Sequence, residues 1–258
     1  MKKLSVSSLI ALALVSISGL AQSQTTEPAS TLSFNVGATT DYRYRGLTQT
    51  TFDPALQGGV DYADKSGFYL GAWGSTINWI KDAGTITGRS NVTGPVELDL
   101  YAGYKGTMGD IAYDVGFLRY EYVGNKLKNS VSYGDANTNE IYGALTMGVV
   151  TAKYSHALSN LFGNLNSKNS YYLDLSANVD LGNGFSLVPH VGYQKLKGAA
   201  NADGSYTDYS LTVSKDLGNG LSASAAFIGT DAKDSFYYTP AGKGTGKSGV
   251  TIGLKYAF

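Results

Sequence analysis

The feature that most constrains this chain is a period-two alternation of apolar and polar residues that returns twelve times between residues 31 and 258. "TLSFNVGATTDYRYRG", residues 31–46, shows it plainly. Leu32, Phe34, Val36, Ala38, Thr40, Tyr42 and Tyr44 fall on one beat; Ser33, Asn35, Gly37, Thr39, Asp41, Arg43 and Arg45 fall on the other. Successive side chains leave a strand on opposite sides, so the pattern predicts β-strands with one apolar and one polar face. The other segments span 54–64, 67–76, 95–105, 110–122, 139–148, 149–156, 170–180, 184–195, 206–216, 220–231 and 248–258. Most run ten to thirteen residues, whereas globular strands average about 5–6 and a tilted strand needs about 9–11 to cross hydrocarbon.

Alternation alone leaves open which face meets water; the connections decide. Long ones, near 46–53, 77–94, 123–138, 157–169, 196–205 and 232–247, alternate with short ones at 64–67, 106–109, 147–149, 180–185 and 216–221. The last two short links, "DLGNGF" and "DLGNGL", are nearly the same hexapeptide. Their Asn-Gly pair tolerates positive φ and suits a tight hairpin. Tight turns on one rim and long loops on the other are how a transmembrane barrel is built. The expected fold is therefore all-β: one antiparallel up-and-down transmembrane barrel of about 12 strands, with short periplasmic turns and long extracellular loops. Past the first residues no apolar run approaches the ~20 residues of a membrane helix.

The chain begins "MKKLSVSSLIALALVSISGLAQSQ". Lys2 and Lys3, an apolar run from Leu9 to Ile17, and small residues at Ala21 and Ser23 have the layout of a secretory signal peptide, expected over residues 1–23. Residues 24–258 are then the barrel domain. The full chain balances 20 basic against 20 acidic residues, and removing Lys2 and Lys3 leaves 18 against 20, with no basic excess for nucleic acid. There is no cysteine, hence neither a disulfide nor a lipidated Cys anchor.

Tyrosines cluster at segment ends. Tyr42, Tyr44, Tyr154, Tyr171, Tyr193 and Tyr209 fall on the apolar face near the long-loop rim, and Phe34, Tyr62, Tyr104, Tyr113, Phe185 and Tyr256 near the short-turn rim. These are two candidate interfacial girdles. In the last segment Val250, Ile252, Leu254, Tyr256 and Phe258 share one face. Tyr256 and the terminal Phe258 resemble the C-terminal signal that barrel-assembly machinery reads.

"TDYRYRGLTQT", "PALQGGVDY", "SGFYLGAWGS", "VELDLYAGYKG" and "YDVGFLRYEY" stand in an order and spacing that resemble the bacterial TorF family of porins, most specifically from Leu32 to Tyr122. The resemblance implies an outer-membrane barrel acting as a pore, and it carries over no catalytic or ligand residue.

The polar beat assigns twelve charged or titratable side chains to the lumen: Asp41, Arg43, Arg45, Asp61, Glu97, Asp99, Asp114, Glu140, Lys153, Asp174, His190 and Asp208. Eight are carboxylates and three are permanent cations. In a narrow passage charged rings select by sign, so a slight cation preference is expected. Arg43 and Arg45 on one strand would stand one above the other, either gripping an anionic solute or pairing with Asp41 and with Asp61 or Glu97 to brace the wall. A twelve-stranded barrel is intermediate between filled and open ones, so the bore is expected to be narrow.

The expectation is thus a bacterial outer-membrane channel for passive diffusion of small hydrophilic solutes or ions. Its partners would be outer-membrane lipid, lipopolysaccharide, the assembly machinery and the solutes themselves. One alternative is a non-conducting structural or adhesive barrel acting through loops such as 77–94 and 235–249. Another is an outer-membrane lipase or esterase. The latter needs a His beside a nucleophilic Ser; only His156 and His190 exist, and Ser186 is four residues from His190 on one face. No enzyme activity, metal or cofactor is expected. "AGKGTGKS", residues 241–248, imitates a phosphate loop, but residues 249–258 read as a strand where nucleotide binding needs a helix. It is expected to be a surface loop that offers Lys243 and Lys247 to lipopolysaccharide phosphates.

Overall fold

Strand β1, Thr31–Thr39, pairs along one edge with β2, Ala55–Ala63, and along the other with the last strand of the chain, so the sheet has no free edge. The computed structural model describes residues 30–258, and the expected signal segment lies outside the described residues. Around the barrel follow β3 (Phe68–Thr76), β4 (Val96–Met108), β5 (Ile111–Val123), β6 (Thr138–Met147) and β7 (Val150–Ala157). The eighth, β8, runs Tyr171–Ala177 and resumes as Val179–Gly182. At the break the Asn178 N–H donates to Val149 O at 2.8 Å. Strands β9 (Phe185–Lys195), β10 (Tyr206–Gly218), β11 (Leu221–Thr230) and β12 (Gly249–Ala257) complete the ring. Every neighbouring pair is antiparallel, and β12 closes on β1 from Asn35 opposite Ala257 to Thr39 opposite Gly253.

The duplicated hexapeptide makes two like turns. In each, Asn and Gly take positive φ (Asn183 51°, Gly184 77°; Asn219 52°, Gly220 81°). This is the twist a two-residue hairpin needs. The preceding Asp accepts the N–H of the glycine two residues on, Gly182 to Asp180 and Gly218 to Asp216, each at 2.8 Å. The register shifts by one residue at both places.

One face of every strand is apolar and outward. On β12, Val250 is 65% exposed and Leu254 55%, while Thr251 between them is 9%. Leu32, Val36, Leu56, Leu70, Leu100, Val115, Leu145, Leu173, Leu211 and Phe227 continue this exposed surface around the ring. Water does not solvate such a belt cheaply, and hydrocarbon does, so the barrel spans a membrane. No helix of the described residues is long and apolar enough to cross one. Aromatic rings touch along both rims, Tyr154–Tyr171–Tyr193 at 5.8 and 6.4 Å on the long-loop side and Phe34–Phe258–Tyr256 at 5.8 and 5.6 Å on the other.

Three sequence expectations are corrected here. First, the opening strand stops at Thr39, well before residue 46. Asp41 collects the hydroxyls of Thr48 and Thr50 and the guanidinium of Arg43, and Arg45 and Gly46 both adopt positive φ, 45° and 79°. This reverses the chain into a miniature hairpin, with Arg43 opposite Thr48 and Tyr44 opposite Leu47. Second, Tyr42 and Tyr44 consequently leave the lipid girdle for the interior. Tyr42 is buried with its hydroxyl on Glu97 Oε1 at 3.0 Å, and Tyr44 packs edge-on against Tyr120 and Phe162. Third, the loop near 77–94 contains a helix, α1 (Trp79–Ile86), which buries Ile80 and Ala83. Those side chains join Val92, Leu118, Tyr120 and Leu127 in one cluster that fills the long-loop end of the barrel.

Candidate functional site

The inner face carries a row of charge that the register sets out strand by strand. Lys105 on β4 stands opposite Asp114 on β5, Asp114 opposite Ala144 on β6, and Ala144 opposite Lys153 on β7. Lys153 then faces Asp174 on β8, Asp174 faces Gly192 on β9, and Gly192 faces Asp208 on β10. Barrel strands tilt, so a row that crosses them at right angles climbs along the axis. This one rises from near the short turn after Met108 to the loop end, where Asp208 lies against Gly46 of the inward hairpin.

Tyrosines hold the carboxylates of this wall. Tyr69 donates to Asp114 Oδ1 at 2.6 Å, Tyr101 donates to Asp61, and Tyr172 donates to Asp208 Oδ2 at 2.9 Å. The lysines rest on rings of the same wall, Lys105 Nζ 4.6 Å from the Tyr69 centroid and Lys153 Nζ 4.1 Å from that of Tyr142. His190 Nε2 meets Asp174 Oδ2 at 3.0 Å and the Tyr172 hydroxyl at 3.2 Å. Ser186 is not among its partners. His156, on the outer face, bonds Tyr154 and Asn169.

Above this row the inward hairpin crosses the barrel. Arg45 donates to both oxygens of Glu140, Nη1 to Oε1 at 3.1 Å and Nη2 to Oε2 at 2.8 Å, and Nη1 also reaches Gln194 Oε1 at 2.7 Å. Its guanidinium lies 5.0 Å from the ring centroid of Tyr44 and 4.4 Å from that of Tyr172. Arg43 takes another course, to Asp41 and to the carbonyls of Gly46 and Lys247 at 3.1 and 3.0 Å. The two arginines therefore do not stack along one strand: the chain reversal at Arg45 sends them apart. Asp41, Arg43 and Arg45 lie on this inward segment and not on a wall strand. Glu97 and Asp99 are fully buried beside it, and both oxygens of Asp99 lack a hydrogen-bond partner.

The structure thus gathers Asp61 and Asp114, Lys153, Asp174, His190 and Asp208 along the wall, and Glu97, Asp99 and Glu140 around the crossing segment. Two further cations share the inward beat of their strands, Lys105 with Glu97 and Asp99 on β4, and Lys255 with Thr251 on β12. Their parity is the sequence signal that locates them. The partners of Arg45 have no such local signal, since Glu140, Gln194 and Tyr172 come from three distant strands.

Between the long loops and above Arg45 opens a vestibule of about 150 Å³, room for roughly five waters at about 30 Å³ each. Trp79, Tyr122, Tyr133, Phe162, Tyr206 and Tyr238 supply much of its wall, with Arg45 and Gln194 beneath. Burial pushes the loop hydroxyls of Tyr133 and Tyr237 above their ordinary value, so both stay neutral. The phosphate-loop imitation at 241–248 runs straight into β12; its Lys247 pairs with Asp234 at 2.9 Å, and Lys243 covers the Phe52 ring.

Two porins are among the solved structures with a similar fold. A KdgM porin matches with TM-score 0.53 and 9% identity over 88% of this chain and 99% of that one. A NanC porin matches with TM-score 0.53 and 11% identity over 88% and 99%. At these identities the likeness is one of fold. No curated protein sequence matches the chain. Residues 23–258 match the family described as "Bacterial protein of unknown function (Gcw_chp)", and the chain belongs to that family.

Proposed function

We propose that this protein is an outer-membrane channel for passive diffusion of small hydrophilic solutes, narrowed by the segment after β1. The observation that carries the reading is a closed barrel whose outward side chains are apolar and whose inward row, Lys105 to Asp208, is charged. Membrane barrels carry a polar interior, which in porins is a water-filled channel, whereas a soluble barrel places the two faces the other way. The porin names of these two structural relatives and the resemblance of residues 32–122 to the TorF family agree with the reading. Export by the signal segment, assembly through Tyr256 and Phe258, and contact of the loop lysines with lipopolysaccharide belong to the same proposal.

Slight cation preference completes it. With Lys105 and Lys255 counted beside Arg43, Arg45 and Lys153, five permanent cations face eight carboxylates in the barrel interior. The lean is acidic and small. Reversal potential in a salt gradient tests it: the cation-side sign is expected, it should strengthen in Lys105→Glu, and a clear anion preference overturns it.

A second reading has one observation in its favour. Arg45, Glu140 and Gln194 join opposite walls, so the barrel can be read as closed at that level and acting through its loops. Recording from purified protein in planar bilayers separates the two. Stepwise conductance supports the channel; folded protein that inserts without steps supports the closed structural barrel. No catalytic role is proposed.

A further inference from the structure

The vestibule is built from parts that do not depend on conduction. Its wall is contributed by the inward hairpin, α1, the loops after β5, β7, β9 and β11, and the adjoining ends of β5, β9 and β10, all at the long-loop rim. Aromatic rings dominate it, and a ring face carries the negative end of the π quadrupole. Among the described residues that line it, Asp82 is the one carboxylate and Arg45 the one cation. Arg45 does not oppose a positive guest, because Glu140 neutralises it with two hydrogen bonds and Tyr44 and Tyr172 cover its faces. Asp82 stands in the first turn of α1, half-buried, with its Oδ2 accepting from the Thr51 hydroxyl.

The layer below leaves no net positive charge to oppose such a guest. Tyr44 and Tyr122 of the vestibule wall stand within electrostatic reach of Asp99 and Glu140. Glu97, Asp99 and Glu140 make three carboxyl groups there, against the single guanidinium of Arg45. An anion entering the cavity would meet aromatic side chains and Asp82 with no uncommitted cation in the lining. A purely apolar guest would strip water from Asp82 without replacing it, which is unfavourable.

We propose that the vestibule binds small organic cations, with the ammonium group set against Asp82 and its alkyl groups against the surrounding rings. This is the arrangement by which aromatic cages take quaternary ammonium groups. The mature chain, folded in detergent micelles, is titrated by calorimetry with choline and with its uncharged carbon isostere, dimethylbutanol. Choline should bind saturably, and the isostere about fivefold more weakly or worse, the size of a cation–π and carboxylate contribution at a partly exposed site.

Asp82→Asn keeps the shape and the bond from Thr51 while removing charge; Tyr238→Leu removes one ring at the rim. Each should weaken choline by about fivefold, with the heat-dependent gel shift of the folded barrel unchanged. Equal binding of choline and its isostere overturns the proposal, as does wild-type affinity in both variants or no detectable choline binding. Calorimetry reads the site whether or not the bore conducts, so failure here and failure of the channel reading are separate results.

Discussion

Arg45 and Glu140 meet across the interior of the barrel: the arginine arrives from the chain segment after β1, the glutamate projects from β6 on the facing side, and two hydrogen bonds of 3.1 and 2.8 Å join them. Both side chains are nearly inaccessible, 6% and 1% exposed. The Tyr120 hydroxyl donates to Glu140 Oε2 at 3.2 Å as well. The pair fixes the inward hairpin to the wall.

Removing one partner of such a pair leaves the other charged and buried, which costs about 3–5 kcal/mol, whereas replacing both by apolar groups of like volume is near neutral. Arg45→Ala should therefore lower unfolding stability by about that amount. Arg45→Met with Glu140→Leu should recover most of it. Urea unfolding from micelles, followed by the heat-dependent gel shift, checks the order. In bilayers Arg45→Ala is expected to enlarge the conductance step, since the hairpin loses its far anchor.

Tyr172 lies over Gly192 so closely that a Cβ on the glycine would stand 1.8 Å from the tyrosine oxygen. Gly192→Val should expel the ring, release its bonds to Asp208, and cost about 1–3 kcal/mol, the usual range for overpacking. Gly143 is the contrast. A Cβ there meets only Val115 Cγ1 at 4.0 Å, on the outward side, so Gly143→Val is expected to be tolerated. Equal losses in the two variants would contradict the close-packed inner wall.

Leu211 and Thr212 are neighbours near the middle of β10 with opposite directions, Leu211 46% exposed on the outer belt and Thr212 paired inward with Ala226. An arginine on the lipid face near the midplane costs about 2–4 kcal/mol. Leu211→Arg should fold poorly in vesicles, while Thr212→Arg should fold and reduce conductance by narrowing the bore. Folding yield by gel shift reads the first effect and single-channel current the second.

The strand count, the alternation and both Asn-Gly turns were legible in the sequence because each is local: parity sets the face, and a dipeptide sets the turn. Asp61, Asp114, Lys153, Asp174, His190 and Asp208 share the inward beat along the wall, and Glu97, Asp99 and Glu140, on the same beat of their strands, stand around the crossing segment. Parity misled at Thr40–Arg45, where the alternation runs on although the strand has ended. There Asp41 draws Thr48 and Thr50 toward itself, and that closure depends on hydroxyls beyond the alternating run. Helix α1 was hidden for a related reason. Its eight residues include Gly84 and Thr85, poor helix formers, and the packing of Ile80 and Ala83 into the barrel mouth decides the conformation.

The inversion of faces is the claim on which the rest depends, and the absence of cysteine makes it directly measurable, because each engineered cysteine takes a single spin label. Labels placed one at a time from Leu211 to Ser214 in vesicles, relaxed by oxygen and by a water-soluble nickel chelate, report lipid and water separately. The account predicts oxygen-dominated relaxation at 211 and 213 and nickel-dominated relaxation at 212 and 214. The opposite phase, or the same environment at all four positions, would contradict it.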